Sequence, residues 1–282
     1  MKFCSISQNG RDFIGVVTDF GIVDVTAMGF PASMNEIIES GNEIIAKIDA
    51  AITTNNPHPI IDDNISYLPV TEPKKIICMG WNYAAHAQEG GSDVPEHPVF
   101  FSKFNDALSA HKQAVTLLPW FREYDYESEL VIIIGKHAHN ITTEEAPDYI
   151  FGYTCGNDMT AREAQRLSSQ WLAGKSLPGF APIGPHIVTS DSFDPDAAHR
   201  IYCEVNGITV QSAVLTDMIF KCYESVSAAS RFFPLSPGDM IFTGTPEGII
   251  GGKPESERVW LKAGDIVQVT IEGIGTLTTP LV

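Results

Sequence analysis

The sequence lacks an excess of basic residues, which excludes one large class of partners. Its 282 residues include 35 Asp and Glu against 18 Lys and Arg, for a formal net charge of −17. A protein that follows a nucleic-acid backbone needs the opposite balance, because cations must replace the counterions of the phosphates. We therefore expect no nucleic-acid partner. An acidic chain is better suited to a site that gathers carboxylates around a cation.

Long apolar segments are also missing. The longest aliphatic run, around residues 131–134, is far shorter than the ~20 apolar residues that cross a bilayer. The first residues, MKFCSISQNGRDFIGVV, contain no apolar core followed by a small-residue cleavage site. These features predict a cytoplasmic protein without membrane contact.

Cysteine is sparse, and no two cysteines form a CxxC pair. The five cysteines are Cys4, Cys78, Cys155, Cys203 and Cys222. Most lie in apolar segments such as KIICMG and GYTCGN, which favours buried free thiols over disulfides or zinc ligands. Unpaired thiols are typical of a reducing compartment.

Common nucleotide and hydrolase motifs are absent as well. The segment Gly174-Lys175-Ser176 resembles the end of a phosphate-binding loop, but residue 169 is serine where that motif needs glycine. The glycines at 244, 248, 251 and 252 lack GxGxxG spacing and do not lie between a strand and a helix. Neither HExxH nor GxSxG occurs.

The first 70 residues predict a small α+β domain. Alternating stretches at 2–7 and 12–18 flank an Asn-Gly turn and predict a hairpin. A helix is expected over 34–52, with an interruption at Gly41. The polar, proline-broken segment 53–64 predicts a linker. We place the domain boundary near residue 70.

Residues 71–282 predict a larger catalytic domain that is rich in strands. Strands are expected at 75–79, 131–134, 150–155, 201–205, 266–271 and 276–282, with a helix over 218–231. The order has no βαβ rhythm, so the predicted fold class is β-rich α+β.

The clearest chemical signal is the segment DYESEL, which leads into the apolar run at 131–134. Glu127 and Glu129 are two residues apart, so a strand points both carboxylates to one face. Asp158 lies at the end of the strand predicted at 150–155 and supplies a third carboxylate. Three oxygen donors favour Mg²⁺ or Mn²⁺, with Ca²⁺ as an alternative, over zinc. The competing interpretation is a solvated strand end.

A second signal lies in NYAAHAQE. His86 and Glu89 are three residues apart and share one face of a helical turn, where Glu89 can orient His86. Such a pair can take a proton from water or from a carbon beside a carbonyl. Taken alone, the spacing favours an ordinary pair on a helix surface.

Two further segments suggest recognition of an anion. Arg162 and Gln165 share a helical face just after Asp158, and Lys175 adds another cation. Structural salt bridges are the competing explanation. The turn after residue 242 contains Thr245, whose hydroxyl and neighbouring backbone N–H groups can hold a carboxylate, although a plain tight turn is the simpler interpretation.

Together these segments resemble the fumarylacetoacetate hydrolase family over residues 75–282. The matching landmarks, in order, are IICMGWNYAAHAQE, PVFFSKF, DYESELVIIIGK, FGYTCGNDMTAREAQ, WLAGKS with PIGP, VNG with Gln211, LSPGDMIFTGTPEG and LKAGDIVQVTIEGIGTL. The resemblance implies a rolled mixed β-sheet with the active site at its mouth, assembled as a homodimer. The first 70 residues look like the small N-terminal unit of shorter bacterial members.

The resemblance also implies a role for each candidate residue. Three groups correspond to family positions: the Mg²⁺ or Mn²⁺ ligands Glu127, Glu129 and Asp158; the catalytic residues His86, Glu89 and Lys175; and the substrate-binding residues Arg162, Gln165 and Thr245. His86 and Glu89 are expected on a lid segment, where they activate water. Pro178 stands where the family often has aspartate, so a reshaped pocket is expected there.

The function implied is a metal-dependent hydrolase that cleaves a carbon–carbon bond in a 1,3-diketo acid, of the acylpyruvate, fumarylpyruvate or diketo-deoxy sugar acid type. The products are a carboxylic acid and a 2-oxo acid. Alternatives on the same site are oxaloacetate-type decarboxylation, hydration or isomerisation of a 2-oxo-alkenoate, and ureidoglycolate lysis. A non-catalytic protein that binds oxo acids is the alternative from another class, but it predicts a lost ligand or base.

Overall fold

The computed structural model describes residues 1–55, 57, 59 and 64–282, and β-strands form most of its regular structure. The strands are β1 (Lys2–Gln8), β2 (Arg11–Thr18), β3 (Gly21–Asp24), β4 (Ser66–Tyr67), β5 (Ile76–Gly80), β6 (Val99–Lys103), β7 (Leu108–Ala110), β8 (Tyr124–Asp125), β9 (Ser128–Ile134), β10 (Ile150–Asn157), β11 (Thr160–Ala161), β12 (Ala181–Thr189), β13 (Arg200–Val205), β14 (Ile208–Val214), β15 (Met240–Phe242), β16 (Ile266–Ile271) and β17 (Gly275–Pro280). The α-helices are α1 (Met34–Asn55), α2 (Ala84–Glu89), α3 (Arg162–Gln165), α4 (Leu172–Lys175) and α5 (Cys222–Phe232).

One large mixed sheet organises the described part of the chain. Its strand order is β3-β2-β1-β12-β10-β9-β15-β5-β6, with β4 beside β1 and β7 beside β12. The pairs β15–β5 and β12–β7 are parallel, whereas the other pairs of this sheet are antiparallel. A four-stranded sheet in the order β14-β13-β16-β17 and a short β8–β11 pair complete the architecture. The predicted β-rich α+β class is confirmed.

The central strand β9 shows why this sheet is stable. All of its residues are buried, because both faces of the sheet are covered there. Successive side chains alternate between faces, so Leu130 and Ile132 enter one hydrophobic cluster whereas Val131 and Ile133 enter another. The uninterrupted apolar run in the sequence thus fills two cores at once.

The N-terminal segment continues the same sheet. Strand β1 pairs with β12 through Lys2 opposite Val188 and Phe3 opposite Ile187. Helix α1 contains the interruption expected from the sequence, since Gly41 has φ 66° and leaves the helical conformation. Of the predicted linker, residues 53–55 extend α1 instead, and 56, 58 and 60–63 lie outside the described residues. The division at residue 70 stays a prediction.

The predicted helix over 218–231 begins too early. Helix α5 starts at Cys222 because the preceding backbone is used elsewhere: Ile219 N–H donates to the Asn82 carbonyl at 2.7 Å, and Phe220 N–H donates to Asn82 Oδ1 at 2.8 Å. A residue distant in sequence therefore overrides the local helical pattern. The same contacts anchor the chain just ahead of α2.

Candidate active site

The three predicted carboxylates meet at one edge of the central sheet. Glu127 precedes β9, Glu129 lies on it, and Asp158 follows β10, whose last residues pair with the first residues of β9. Asn157 Oδ1 accepts the Glu127 N–H at 3.0 Å, and the Glu127 carbonyl accepts the Asp158 N–H at 2.9 Å. One ligand oxygen from each carboxylate lies within 4.8 Å of the others, and all three residues are buried.

Two buried lysines partly balance these carboxylates. Lys175 Nζ is 2.7 Å from both Glu127 Oε2 and Asp158 Oδ2. Burial alone would lower the pKa of Lys175, but Asp158 and Glu127 outweigh burial and raise that pKa, which keeps the ammonium charged. Lys103 Nζ is 2.5 Å from Asp158 Oδ1 and donates to the carbonyls of Met159, Phe180 and Lys175.

Glu127 and Glu129 differ in electrostatic environment. Burial would raise the pKa of Glu127, but Lys175 and Arg162 outweigh it and lower that pKa. Burial, reinforced by the charges of Asp158 and Glu127, raises the pKa of Glu129 well above its usual range. Its Oε2 accepts the Gly244 N–H at 2.7 Å, and no described cationic side chain forms an ion pair with it.

The donor set fits a hard divalent cation. Glu129 is a buried carboxylate without a paired cation, and a divalent ion among three oxygens would supply the missing charge. The cluster contains neither sulfur nor imidazole, which agrees with Mg²⁺ or Mn²⁺ rather than zinc.

The His–Glu pair lies on the short helix α2, opposite the carboxylates. His86 Nδ1 is 3.4 Å from Glu89 Oε2, and His86 is buried. The Gly248 N–H points at both oxygens of Glu89, at 3.0 and 3.2 Å. Asn82 fixes the start of the segment by donating to the carbonyls of Phe220 and Thr243.

A cavity of about 490 Å³ connects these groups. Six predicted residues line it: His86, Glu127, Arg162, Gln165, Lys175 and Thr245. Trp81 and Trp171 form part of the wall, with their rings in edge contact and centroids 4.9 Å apart. Glu129 and Asp158 adjoin the cavity through Glu127. Pro178 is exposed and lies outside the lining residues, away from the pocket that it was expected to reshape.

Arg162 is largely committed to other protein groups. Its Nε donates to Asp125 Oδ2 at 2.8 Å, Nη2 to Glu127 Oε1 at 2.7 Å, and Nη1 to Gln165 Oε1 at 3.0 Å. Because the Gln165 oxygen is occupied, its amide NH₂ is the end left to meet a ligand. Arg162 therefore forms the structural salt bridges of one sequence interpretation, and Arg162 and Gln165 also line the cavity.

Thr245 is held by Gln211, which the sequence indicates only as part of the family pattern. Gln211 Nε2 donates to Thr245 Oγ1 at 2.9 Å, while Gln211 Oε1 accepts the Ser128 N–H at 2.9 Å. This amide links the turn after β15 to the start of β9.

Sequence reasoning missed Lys103 and Asp125 as members of the site. Lys103 ends β6 inside the PVFFSKF segment, and a lone lysine at a strand end is indistinguishable from a solvated residue. Asp125 begins the DYESEL segment, and it has no exposed surface. Its position beside two carboxylates was the signal available, and only the fold reveals that Arg162 faces it.

Comparison with known proteins agrees with this geometry. A family model described as "Fumarylacetoacetate (FAA) hydrolase C-terminal" matches residues 75–282. The Xenopus laevis protein named oxaloacetate tautomerase fahd2, mitochondrial, is 37% identical over 266 residues, which cover 93% of this chain and 82% of that protein. None of the described helices is long and apolar enough to cross a membrane.

Two solved structures extend the comparison to the fold. A fumarylacetoacetate hydrolase from psychrophilic Exiguobacterium antarcticum has a TM-score of 0.88 and 35% identity, covering 100% of this chain and 99% of that one. A maleylpyruvate hydrolase from Sphingobium sp. SYK-6, in complex with manganese(II) and pyruvate, has a TM-score of 0.82 and 28% identity, with coverage of 100% and 99%. The family resemblance read from the sequence is confirmed.

Proposed function

This chain belongs to the fumarylacetoacetate hydrolase family, and we propose that its site adds a proton to, or removes one from, the carbon beside the keto group of a 2-oxo acid. The reaction that we favour is the keto–enol tautomerisation of oxaloacetate. The observation that carries this choice is the 37% identity, over 93% of this chain, to a protein named for that activity.

The residues supply what such a proton transfer needs. The His86 imidazole faces the same cavity as Glu127 and Lys175 and is the candidate base, with Glu89 orienting it through Nδ1. The charged Lys175 ammonium is placed to stabilise the oxygen on which negative charge develops. A bound Mg²⁺ or Mn²⁺ would supply Lewis-acid polarisation of the keto group.

The remaining groups would hold the carboxylates of the substrate. Gln165, on α3, and Thr245, in the turn after β15, both line the cavity. Arg162 donates to Gln165 Oε1 and adds positive charge there. Oxaloacetate carries two carboxylates, which suits a pocket with several donors. Glu129 and Asp158 complete the proposed ligand set with Glu127.

Hydrolysis of a 1,3-diketo acid, the function predicted from the sequence, is the second candidate. It is favoured by the maleylpyruvate hydrolase solved with manganese(II) and pyruvate. In that reaction His86 and Glu89 would take a proton from water, and the water oxygen would attack the distal carbonyl. The products would be a carboxylic acid and a 2-oxo acid. Decarboxylation, 2-oxo-alkenoate hydration or isomerisation, and lysis of ureidoglycolate would use the same site residues.

The assembly and the compartment are part of the proposal. We propose a homodimer, as the family resemblance implies, acting on a small-molecule oxo acid without nucleic acid or membrane. A cytoplasmic location remains a prediction from the unpaired cysteines. All five cysteine side chains are buried, as the sequence predicted.

The deciding experiment compares two substrates with the same enzyme. With Mg²⁺ present, we expect fast loss of the enol absorbance of freshly dissolved enol-oxaloacetate, no pyruvate formation, and loss of the effect in EDTA. Acetylpyruvate should be turned over slowly. Rapid, EDTA-sensitive cleavage of acetylpyruvate to acetate and pyruvate would instead identify the hydrolase.

The variant His86→Ala separates base chemistry from simple binding. We expect the tautomerisation rate to fall about 10²–10⁴-fold, while Mn²⁺ affinity, followed by calorimetry, stays near that of the unchanged protein. Unchanged turnover in this variant would exclude His86 as the base in either reaction.

A further inference from the structure

The backbone segment 248–252 contacts the carboxylate of Glu89. The Gly248 N–H donates to both Glu89 oxygens. A Cβ at Gly252 would lie 2.3 Å from Glu89 Cδ, so only glycine permits this contact without moving Glu89. The close approach of the Glu89 carboxylate thus explains Gly252, one of the glycines that match no nucleotide motif.

Asp125 holds that segment in turn. It is completely buried, and its two oxygens divide their bonds: Oδ1 accepts the Ile250 N–H and Oδ2 the Gly251 N–H, each at 2.8 Å. Oδ2 also accepts from Arg162 Nε at 2.8 Å. The Asp125 carboxylate therefore connects Arg162, which lines the cavity, to the backbone segment that contacts Glu89.

A second contact, from the residue that follows Asp125 in the chain, supports the segment. The Tyr126 hydroxyl donates to the Gly248 carbonyl at 2.9 Å, and Tyr126 is buried. The peptide group that presents its N–H to Glu89 is therefore held through its neighbouring carbonyl. Asp125 must be a carboxylate to accept from Ile250 N–H, Gly251 N–H and Arg162 Nε together. A carboxylate accepts on both oxygens, whereas the amide of asparagine accepts on one.

We propose that Asp125 is a positioning residue, which acts through the 248–252 segment on Glu89 and thereby on the orientation of His86. The inference rests on the proposed function, since it assigns Asp125 a role in that proton transfer. The competing account is that Asp125 only neutralises Arg162 and so acts on the metal ligand Glu127.

The first test measures backbone dynamics and needs no substrate. In Asp125→Asn, hydrogen–deuterium exchange should become faster in peptides covering 84–90 and 247–253 and stay unchanged elsewhere. Asp239→Asn is the matched control, because Asp239 is equally buried and accepts three backbone N–H bonds outside the cavity lining. Exchange in 84–90 that is unchanged in Asp125→Asn would overturn the proposal.

The second test measures coupling to Glu89. With Mn²⁺ saturating, Asp125→Asn should lower kcat for enol-oxaloacetate by about 10- to 100-fold with KM little changed, as expected for a misplaced catalytic group. Combined with Glu89→Gln, it should lower kcat no further than Glu89→Gln alone. Effects that multiply, or a parallel loss of Mn²⁺ affinity in calorimetry, would favour the competing account and overturn ours.

A third variant covers the case in which Asp125→Asn fails to fold. Gly252→Ala adds one methyl group against Glu89 and removes no carboxylate. Because Glu89 must move, kcat should fall, again with no further loss when the variant is combined with Glu89→Gln. Full activity of Gly252→Ala would contradict the proposal. If the unchanged protein does not act on enol-oxaloacetate, the proposed function fails, and the exchange measurements still decide the role of Asp125.

Discussion

At the scale of single residues, the site is defined by an imbalance of buried charge. Glu127 and Asp158 are each paired with lysine, whereas Glu129 is surrounded by like charge. A carboxylate in that situation destabilises the folded protein unless a cation binds. The charge that the proposed function assigns to metal binding therefore lowers the stability of the folded protein when no cation is bound.

The variant Glu129→Gln tests whether the Glu129 charge favours metal binding at the expense of the stability of the metal-free protein. Without the charge, the free energy of unfolding in EDTA should rise by of order 1 kcal/mol, while Mn²⁺ affinity should fall by at least about tenfold. Thermal unfolding with and without Mn²⁺ measures both effects. A variant that is less stable in EDTA and still binds Mn²⁺ tightly would contradict the assignment of Glu129.

At the scale of elements, strand β9 supports both the fold and the proposed metal site. Glu129 lies near its start, with Glu127 just before the strand, and residues 130–134 fill two hydrophobic clusters. Strand β10 pairs with β9 along its length, including Gly156 opposite Glu129, and β15 pairs with residues 131–133 on the other edge, so Glu129 lies on a strand held by two neighbours. Ligands on such a strand are more rigid than ligands on a loop.

Truncating a core residue of β9 should therefore be costly. Ile132→Ala removes a fully buried side chain and should lower the free energy of unfolding by about 2–5 kcal/mol. Ile208→Ala, on the exposed face of β14, should change it by about 0.5 kcal/mol or less. Chemical denaturation of the two variants gives the comparison; equal losses would argue against this burial pattern.

At the scale of the whole molecule, buried histidines link the two sheets. His186 on β12 lies with Nε2 2.6 Å from the Ile274 carbonyl, at the turn before β17. His111 Nδ1 accepts the Thr278 N–H at 3.0 Å. Burial lowers the pKa of each imidazole to about 4, so both are neutral where an exposed histidine already titrates.

The stability of the protein should consequently fall on mild acidification. Between pH 6.5 and about 4 the unfolded chain binds a proton at His186 that the folded protein does not, so unfolding becomes easier as pH falls through that window. We expect His186→Gln, which keeps an N–H donor, to flatten the dependence. The exposed His137→Gln is the control. An identical pH slope in His186→Gln and the unchanged protein would refute the assignment.

The sequence by itself determined the fold class, the family and the types of residue that gather at the site. These rest on local patterns: alternation for strands, an apolar run for β9, and ordered motifs whose spacing is set by the strands that carry them. The burial of the cysteines and the break of α1 at Gly41 follow equally from local rules. Periodicity and residue chemistry are properties of neighbours along the chain.

The tertiary structure alone decided which partners these residues have. Lys103 reaches Asp158 across 55 positions, and Asp125 reaches Gly251 across 126, which no local pattern encodes. The late start of helix α5 at Cys222 has the same origin, since Asn82 binds the backbone N–H groups of residues 219 and 220 ahead of it. Charge balance, burial and the support of Glu89 depend on contacts between distant segments, and those exist only once the sheet has formed.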